Sequence, residues 1–307
     1  MRYSLVAISA AAMMVSSVQA GTVTWKESVT SGVWHTGANW DTGVQPEEGD
    51  TVFVNNGTQI FWGPSFGGMN STIRNNSHVT INGGDVQFQG AYHAVIGYGG
   101  TGTASSLTVL SGAYRMSGNM NIGNNSGETG TLTIGPDGFF DAGSGASDFI
   151  IHPTGTVNSA GTVIDVGNLF LRGGTLNITG GSFTVNGRID FESSGATGNK
   201  VNISGGILTT NNSEANLTLV LGYGDRYFNF LANSTGTLVL PQITVSKLET
   251  YVQAGYIRLE GVASPDSFVV SAYGANGSQV SLVPEPTVGA LMGLGLAALG
   301  LRRRAHA

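Results

Sequence analysis

A chain of 307 residues carries 48 glycines, 8 prolines, no cysteine and a formal net charge of −6, with only 10% of residues charged. The length allows one or two domains with a sizeable core, and the absence of cysteine excludes disulfides, thiolate metal sites and a cysteine nucleophile. Glycine this abundant signals collagen or disorder only alongside a Gly-X-Y register or a shortage of apolar residues; here no such register exists and 40% of residues are apolar.

The first twenty residues run from a charged start (Arg2) through the apolar stretch LVAISAAAMMV to Ser-Ser-Val-Gln-Ala. That order is a secretory signal peptide. Signal peptidase is expected to cut between Ala20 and Gly21.

Residues 21–66 hold all four tryptophans, Trp25, Trp34, Trp40 and Trp62. Within them the stretch from Val33 to Val54 resembles the opening segment of many secreted bacterial β-helix proteins. Asn39, Trp40, Gly43, Pro46, Gly49 and Asp50 match that pattern. An open solenoid end exposes core and strand edges, so a Trp-rich N-terminal cap is the expected role. An aromatic platform that stacks sugars is the alternative.

Between 67 and 282 one unit recurs: apolar-polar-apolar, a Gly-containing turn, then apolar-polar-apolar. It appears as VTINGGDVQF from Val79, LTVLSGAYRM from Leu107, LNITGGSFTV from Leu176 and VNISGGILTT from Val201. LTIGPDGFFD from Leu132 departs at its last position, and FIIHPTGTVN from Phe149 fits least well. Period-two alternation means strands with one buried face. The inward sets are Val79, Ile81, Val86 and Phe88 in one copy and Leu176, Ile178, Phe183 and Val185 in another. A third short strand follows several copies, at Ala94/Ile96, Met120/Ile122, Leu169/Leu171 and Ile189/Phe191. Three short strands per ~25 residues describe one coil of a β-solenoid with coils ~4.8 Å apart. An antiparallel sandwich shows the same alternation but requires no constant period. Asn75, Asn76, Asn124, Asn125, Asn211 and Asn212 sit at expected corners, where asparagine tolerates left-handed backbone. From Leu217 the repeat loosens, and LTLVL, TLVLPQITV, YIRLEGV and SFVVSAYG read as further strands.

Parallel β-helices often carry polysaccharide lyases or glycosidases, which need clustered carboxylates or basic residues. The body has only Lys26, Lys200, Lys247 and six scattered arginines, which also argues against a nucleic-acid partner. Asp190 and Glu192 point outward together and read as a solvated strand face. His35, His78, His93 and His152 lack metal-ligand spacing, and Glu47 to Asp50 reads as a solvated loop. No Gly-x-Ser-x-Gly elbow or phosphate loop is present. The expectation is no catalytic residue, no metal and no cofactor.

The chain ends Val283-Pro284-Glu285-Pro286, then TVGALMGLGLAALGL over 287–301, then Arg302-Arg303-Arg304-Ala-His-Ala. As a helix, the apolar stretch spans about 22 Å, short of a ~30 Å hydrocarbon core. The arginines favour a cytoplasmic C-terminus. This tail resembles the PEP-CTERM protein-sorting signal of Gram-negative bacteria that make extracellular polysaccharide and biofilm. The resemblance implies that Pro284, Glu285 and Pro286 are recognised by an exosortase, a membrane-embedded processing enzyme, and that Arg302, Arg303 and Arg304 are the stop-transfer anchor.

The resulting expectation is an all-β, right-handed parallel β-solenoid at 67–282 behind a Trp-rich cap at 21–66. A signal peptide at 1–20 precedes it, and a sorting tail at 283–307 with a short membrane helix follows. The chain is expected to be held in the inner membrane with its body periplasmic, then to reach the cell surface or medium. There it would act as a non-enzymatic structural or adhesive protein. The alternative is a module that binds or degrades extracellular polysaccharide.

Overall fold

The computed structural model describes residues 21–47, 49–62, 71–89, 94–97, 102–123, 127–143, 147–191, 200–221 and 226–284. The signal peptide, residues 287–301 and the boundary at 66 lie outside them.

Strands stack in parallel, residue above equivalent residue. One inward column joins Val23, Val52, Val79, Leu107, Leu132, Val157, Leu176, Val201, Phe228 and Ile257 through successive register pairs. All ten are buried. Two residues further on, Val54, Ile81, Val109, Ile134, Ser159, Ile178, Ile203 and Phe230 form a second column. Each fully buried aliphatic side chain contributes about 1.5–3 kcal/mol, so the columns supply the driving force that a low-charge, glycine-rich chain needs. The fold is a parallel β-solenoid, as the alternation predicts.

A second face carries Val86, Tyr114, Phe140, Val163, Phe183, Leu208 and Leu238 inward. The third is a six-stranded sheet whose strands include Ala94–Ile96, Met120–Ile122, Asn168–Leu171 and Ile189–Phe191. Rings from different faces meet in the centre. Tyr114 stacks on Phe140 at 5.6 Å, and Phe149 meets Phe140 and Phe183 edge-on at 5.9 and 6.2 Å.

The corner between the first two faces explains much of the glycine. Gly112 and Gly181 turn with φ of 82° and 59°, a conformation that glycine adopts freely. Successive coils also press together here. A Cβ on Gly181 would collide with the carbonyl of Gly161, and one on Gly112 with that of Gly84.

The segment read as a cap supplies the first rungs of the same sheet. Thr22–Thr24 pairs with Thr51–Val54, which pairs with His78–Gln89. The residues that resemble a β-helix opening hold this region together. Asn39 Nδ2 donates to the Val33 carbonyl at 3.0 Å, and Asp50 accepts from the Gly21 and Glu47 amides at 2.8 Å each. Gly43 and Gly49 have φ of 77° and 93°. The chain also folds back along its own edge, with the Lys26 amide donating to the Asn39 carbonyl and the Asp41 amide to that of Thr24.

Three readings of the sequence need correction. Phe149 and Ile151 do not open a repeat unit; they lie in Asp148–Ile151 on the third face, between Met120–Ile122 and Asn168–Leu171. The unit of that coil begins at Val157, which divides the 44-residue gap from Leu132 to Leu176 into steps of 25 and 19. It escapes the pattern because a buried serine, Ser159, replaces the apolar residue of the second column.

The second correction concerns Leu217–Leu221, which is helical. Helix α1 (Glu214–Leu221) starts at Ser213, whose Oγ accepts from the Asn216 amide, and buries Leu217 and Leu221 one turn apart. A Leu-x-Leu-x-Leu string satisfies period two and an i, i+4 pair alike. What decides is the surroundings: α1 packs against Ile189–Phe191, the edge strand of the third face. A second helix, α2 (Val245–Gln253), is N-capped by Thr244 and buries Leu248, Tyr251 and Val252. Lys247 joins the two through Glu214 Oε1 at 2.8 Å, a hydrogen bond that raises its ammonium above the ordinary lysine range.

The third correction concerns Asn211, whose φ is not positive, and Asn212, whose φ is not positive either. Asn212 is fully buried and reaches across a coil, accepting from the Ile189 amide at 2.8 Å and donating to the Ile189 carbonyl at 3.0 Å. Asn75 and Asn76 do turn with φ of 53° and 67°, while Asn124 and Asn125 lie outside the described residues.

The solenoid closes with an antiparallel hairpin, Phe268–Tyr273 and Gly277–Leu282, added to Thr237–Leu240. Phe268 meets Phe230 edge-on at 5.5 Å.

Gly181→Ala and Gly274→Ala separate the two demands on corner glycines. Both have positive φ, but a Cβ at 274 meets nothing. Thermal denaturation should show Gly274→Ala costing about 1 kcal/mol and Gly181→Ala about 1–3 kcal/mol more, because backbone must move. Equal losses would mean that coil-to-coil contact at Gly161 is slack.

Candidate functional site

Outward residues stack as strictly as inward ones. On the first face Thr80, Thr108 and Thr133 lead in register into Asn158, Asn177, Asn202 and Asn229. The four asparagines form a ladder: Asn177 donates to Asn158 at 2.8 Å, Asn202 to Asn177 at 2.9 Å and Asn229 to Asn202 at 2.9 Å. Asn229 Oδ1 ends the series by accepting from the Gly261 amide at 2.8 Å. A neighbouring column runs Thr22, Thr51, His78, Ser106, Thr131, Thr156, Thr175 and Lys200. Apart from Phe53 and Arg258 at the ends of the first column and His78 and Lys200 in the second, these columns are hydroxyl and amide groups.

The second face carries the charge. Arg115 lies between Asp85 at 3.1 Å and Asp141 at 3.5 Å, its guanidinium 4.8 Å from the Phe139 ring centroid. Two carboxylates lean on one cation here. A glycosidase pair instead flanks the bond to be cut.

The residues weighed for chemistry lie apart. Asp190 pairs with Arg188 at 3.2 Å, and Glu192 lies outside the described residues, as do Glu48 and His93. His35 contacts Gln45 at 3.3 Å, His78 contacts Ser106 at 2.9 Å and His152 contacts Asn121 at 3.1 Å. Among the described residues no group of three His, Asp or Glu side chains is placed to hold a metal. Trp25 and Trp40 are fully buried and meet edge-on at 5.0 Å, with Trp34 4.7 Å from Trp40. Their indole N–H groups donate to the Val29 and Trp34 carbonyls at 2.8 Å each. The fully buried rings of Trp25 and Trp40 offer no face for stacking a sugar, whereas Trp34 is half-buried; the Trp62 side chain lies outside what the structure describes.

Glu128 was not singled out by sequence reasoning. It is fully buried, and its Oε1 accepts from the Asn75 amide and from Ser105 Oγ, both at 2.7 Å. Thr154 Oγ1 donates to its carbonyl at 2.6 Å. It ties corners of neighbouring coils together. The one available signal was a lone carboxylate in a Gly, Ser and Asn-rich corner.

Of the residues assigned to sorting, Pro284 ends the described chain and Gly21 begins it. Pro284 is exposed and directly follows the hairpin, held by the Val283 amide donating to the Ser267 carbonyl at 2.9 Å. Ala20, Glu285, Pro286, Arg302, Arg303 and Arg304 lie outside the described residues. Among the described residues no helix is long and apolar enough to cross a membrane.

Asn202→Ala would strip Asn177 Oδ1 and Asn229 Nδ2 of their partners on a partly wet face, and should cost about 1 kcal/mol. Trp40→Ala removes a fully buried ring and should cost about 3–5 kcal/mol. Urea unfolding of both variants checks the ranking; a larger loss at Asn202 would overturn it.

No curated protein and no solved structure matches the chain. Residues 282–304 match the PEP-CTERM protein-sorting motif. The solenoid thus carries at its end the sorting signal of an exported protein that an exosortase processes.

Proposed function

We propose that the chain is a non-enzymatic structural or adhesive component of the bacterial surface or extracellular matrix. The observation that carries this reading is the pairing of outward side chains with their own equivalents one coil along. The asparagine ladder and the Arg115–Asp141 pair direct hydrogen bonds and charge along the solenoid axis, and Asp85, two positions off the register partner Gln87, joins the same guanidinium. Residues so engaged strengthen a scaffold. In this reading the signal peptide is cut after Ala20, the 287–301 helix holds the chain briefly in the inner membrane, and the exosortase then releases the body from a Gram-negative cell.

The Trp-rich segment serves as an N-terminal cap, supported by the fold-back of Asn39–Asp41 along the strand Thr22–Thr24. We take the coil to be right-handed, the hand that parallel strand crossovers adopt almost without exception. A second reading, a binder of neutral extracellular polysaccharide, is favoured by the hydroxyl and amide columns of the first face.

Intact mass of the protein recovered from cells and medium tests the sorting reading. The released form should begin at Gly21 and end near Pro284. Replacing Pro284, Glu285 and Pro286 together with alanine should leave the tail attached and the protein in the membrane fraction. An intact arginine-rich terminus on secreted wild-type protein would count against it. Titration with neutral and acidic polysaccharides separates scaffold from binder: saturable binding lost in a Thr108→Ala, Thr133→Ala double variant would favour the second reading.

A further inference from the structure

We propose that, while the tail is attached, the terminal hairpin rests on the lipid headgroups of the membrane that holds the tail. The inference rests on the proposed insertion of residues 287–301.

Three observations lead to it. The first is reach. Val283 is still hydrogen-bonded to Ser267 in the folded body, and only Pro284, Glu285 and Pro286 separate it from the apolar stretch that begins at Thr287. Three extended residues span at most about 11 Å. The end of the solenoid carrying the hairpin is thus leashed to the bilayer surface, a few ångströms at most beyond a headgroup layer roughly 5–8 Å deep.

The second is surface chemistry. The large apolar side chains exposed among the described residues are Val44, Leu110, Ile207, Val262, Val269, Tyr273 and Val283. Val269 and Tyr273 lie in the hairpin and project from the same face of its outer strand, and Val283 directly follows it. From Ser267 to Pro284 the sequence contains no Asp, Glu, Lys or Arg. Nothing in this segment repels anionic lipid or binds water as a charge does, and tyrosine is a side chain that membrane interfaces favour.

The third is the strand edge. Among the described residues Phe268–Tyr273 ends the sheet order and pairs on one side, with Gly277–Leu282, while α2 packs against both hairpin strands. Unpaired edges are ordinarily blunted by charge, proline or a covering segment. This edge carries no charge, and the segment leashed beside it leads into the membrane. A headgroup surface covers such an edge during tethering and uncovers it once the tail is removed.

The native chain has no cysteine, so single-cysteine variants report one site each. Val269→Cys, Tyr273→Cys and, as a mid-body control, Leu110→Cys are labelled with an environment-sensitive fluorophore in the full-length chain. Each is reconstituted into phosphatidylethanolamine and phosphatidylglycerol vesicles containing headgroup spin-labelled lipid. Flotation first establishes whether the tail holds the chain on vesicles. Labels at 269 and 273 should then shift to the blue and be quenched roughly threefold more than the label at 110, as expected for groups at the headgroup boundary. A Gly/Ser spacer of about twenty residues between Val283 and Pro284, with a span of roughly 25 Å, should abolish the difference. A chain that does not float overturns both the insertion and this inference. A chain that floats with equal quenching at all three sites overturns this inference alone. Protection at 269 that persists without the tail and rises with protein concentration would assign the edge to a second copy and overturn it as well.

Discussion

Hydrogen bonds between backbones one coil apart constrain everything else in this molecule. In a parallel solenoid each strand pairs with its own equivalent in the next coil, so whatever occupies a position is placed directly above its counterpart. Apolar residues placed inward thereby become continuous columns, such as the ten from Val23 to Ile257. Polar residues placed outward become ladders, such as Asn158 to Asn229. A residue of the wrong kind is felt twice, by the coil above and the coil below. Ser159 is the one polar intrusion in the second inward column and sits in the shortest coil, where strands and corners are most compressed.

The same stacking explains the composition. Corner backbones approach so closely that a methyl group at Gly181 or Gly112 has nowhere to go. Glycine here follows from coil contact as much as from turn geometry. Charge is scarce because like charges stacked ~4.8 Å apart repel. Neutral amides and hydroxyls stack without that penalty and satisfy one another. On the second face charge is compensated between coils, where Arg115 pairs with Asp141 one coil along and also reaches Asp85.

A stack of coils must also end. At the N-terminal end the chain doubles back along its own first strand and fills the interior with Trp25 and Trp40. At the other end the sheet changes character: α1 covers the last strand of the third face, α2 packs against the hairpin, and that antiparallel hairpin extends the second face from Thr237–Leu240. The sorting motif begins at residue 282, where that hairpin ends, so it follows the irregular end of the solenoid. Phe268 ties the hairpin to the last parallel rungs through Phe230.

Much of this was legible in one dimension. Period-two pairs around glycine turns named the inward residues of most coils, because a buried strand face demands alternation whatever its neighbours are. The sorting tail was legible because its signal is a local, linear pattern, matched over residues 282–304. What sequence left undecided was whatever depends on a partner distant in the chain. Phe149 and Ile151 look like the start of a unit until the third face claims them. Leu217–Leu221 alternates like a strand, but a helix covers the third-face edge there. Glu128 carried no pattern to single it out and Asn212 read as an ordinary corner residue, yet each binds groups from other coils. Local pattern determined which residues face inward; only the stacking of coils decided what each one meets there.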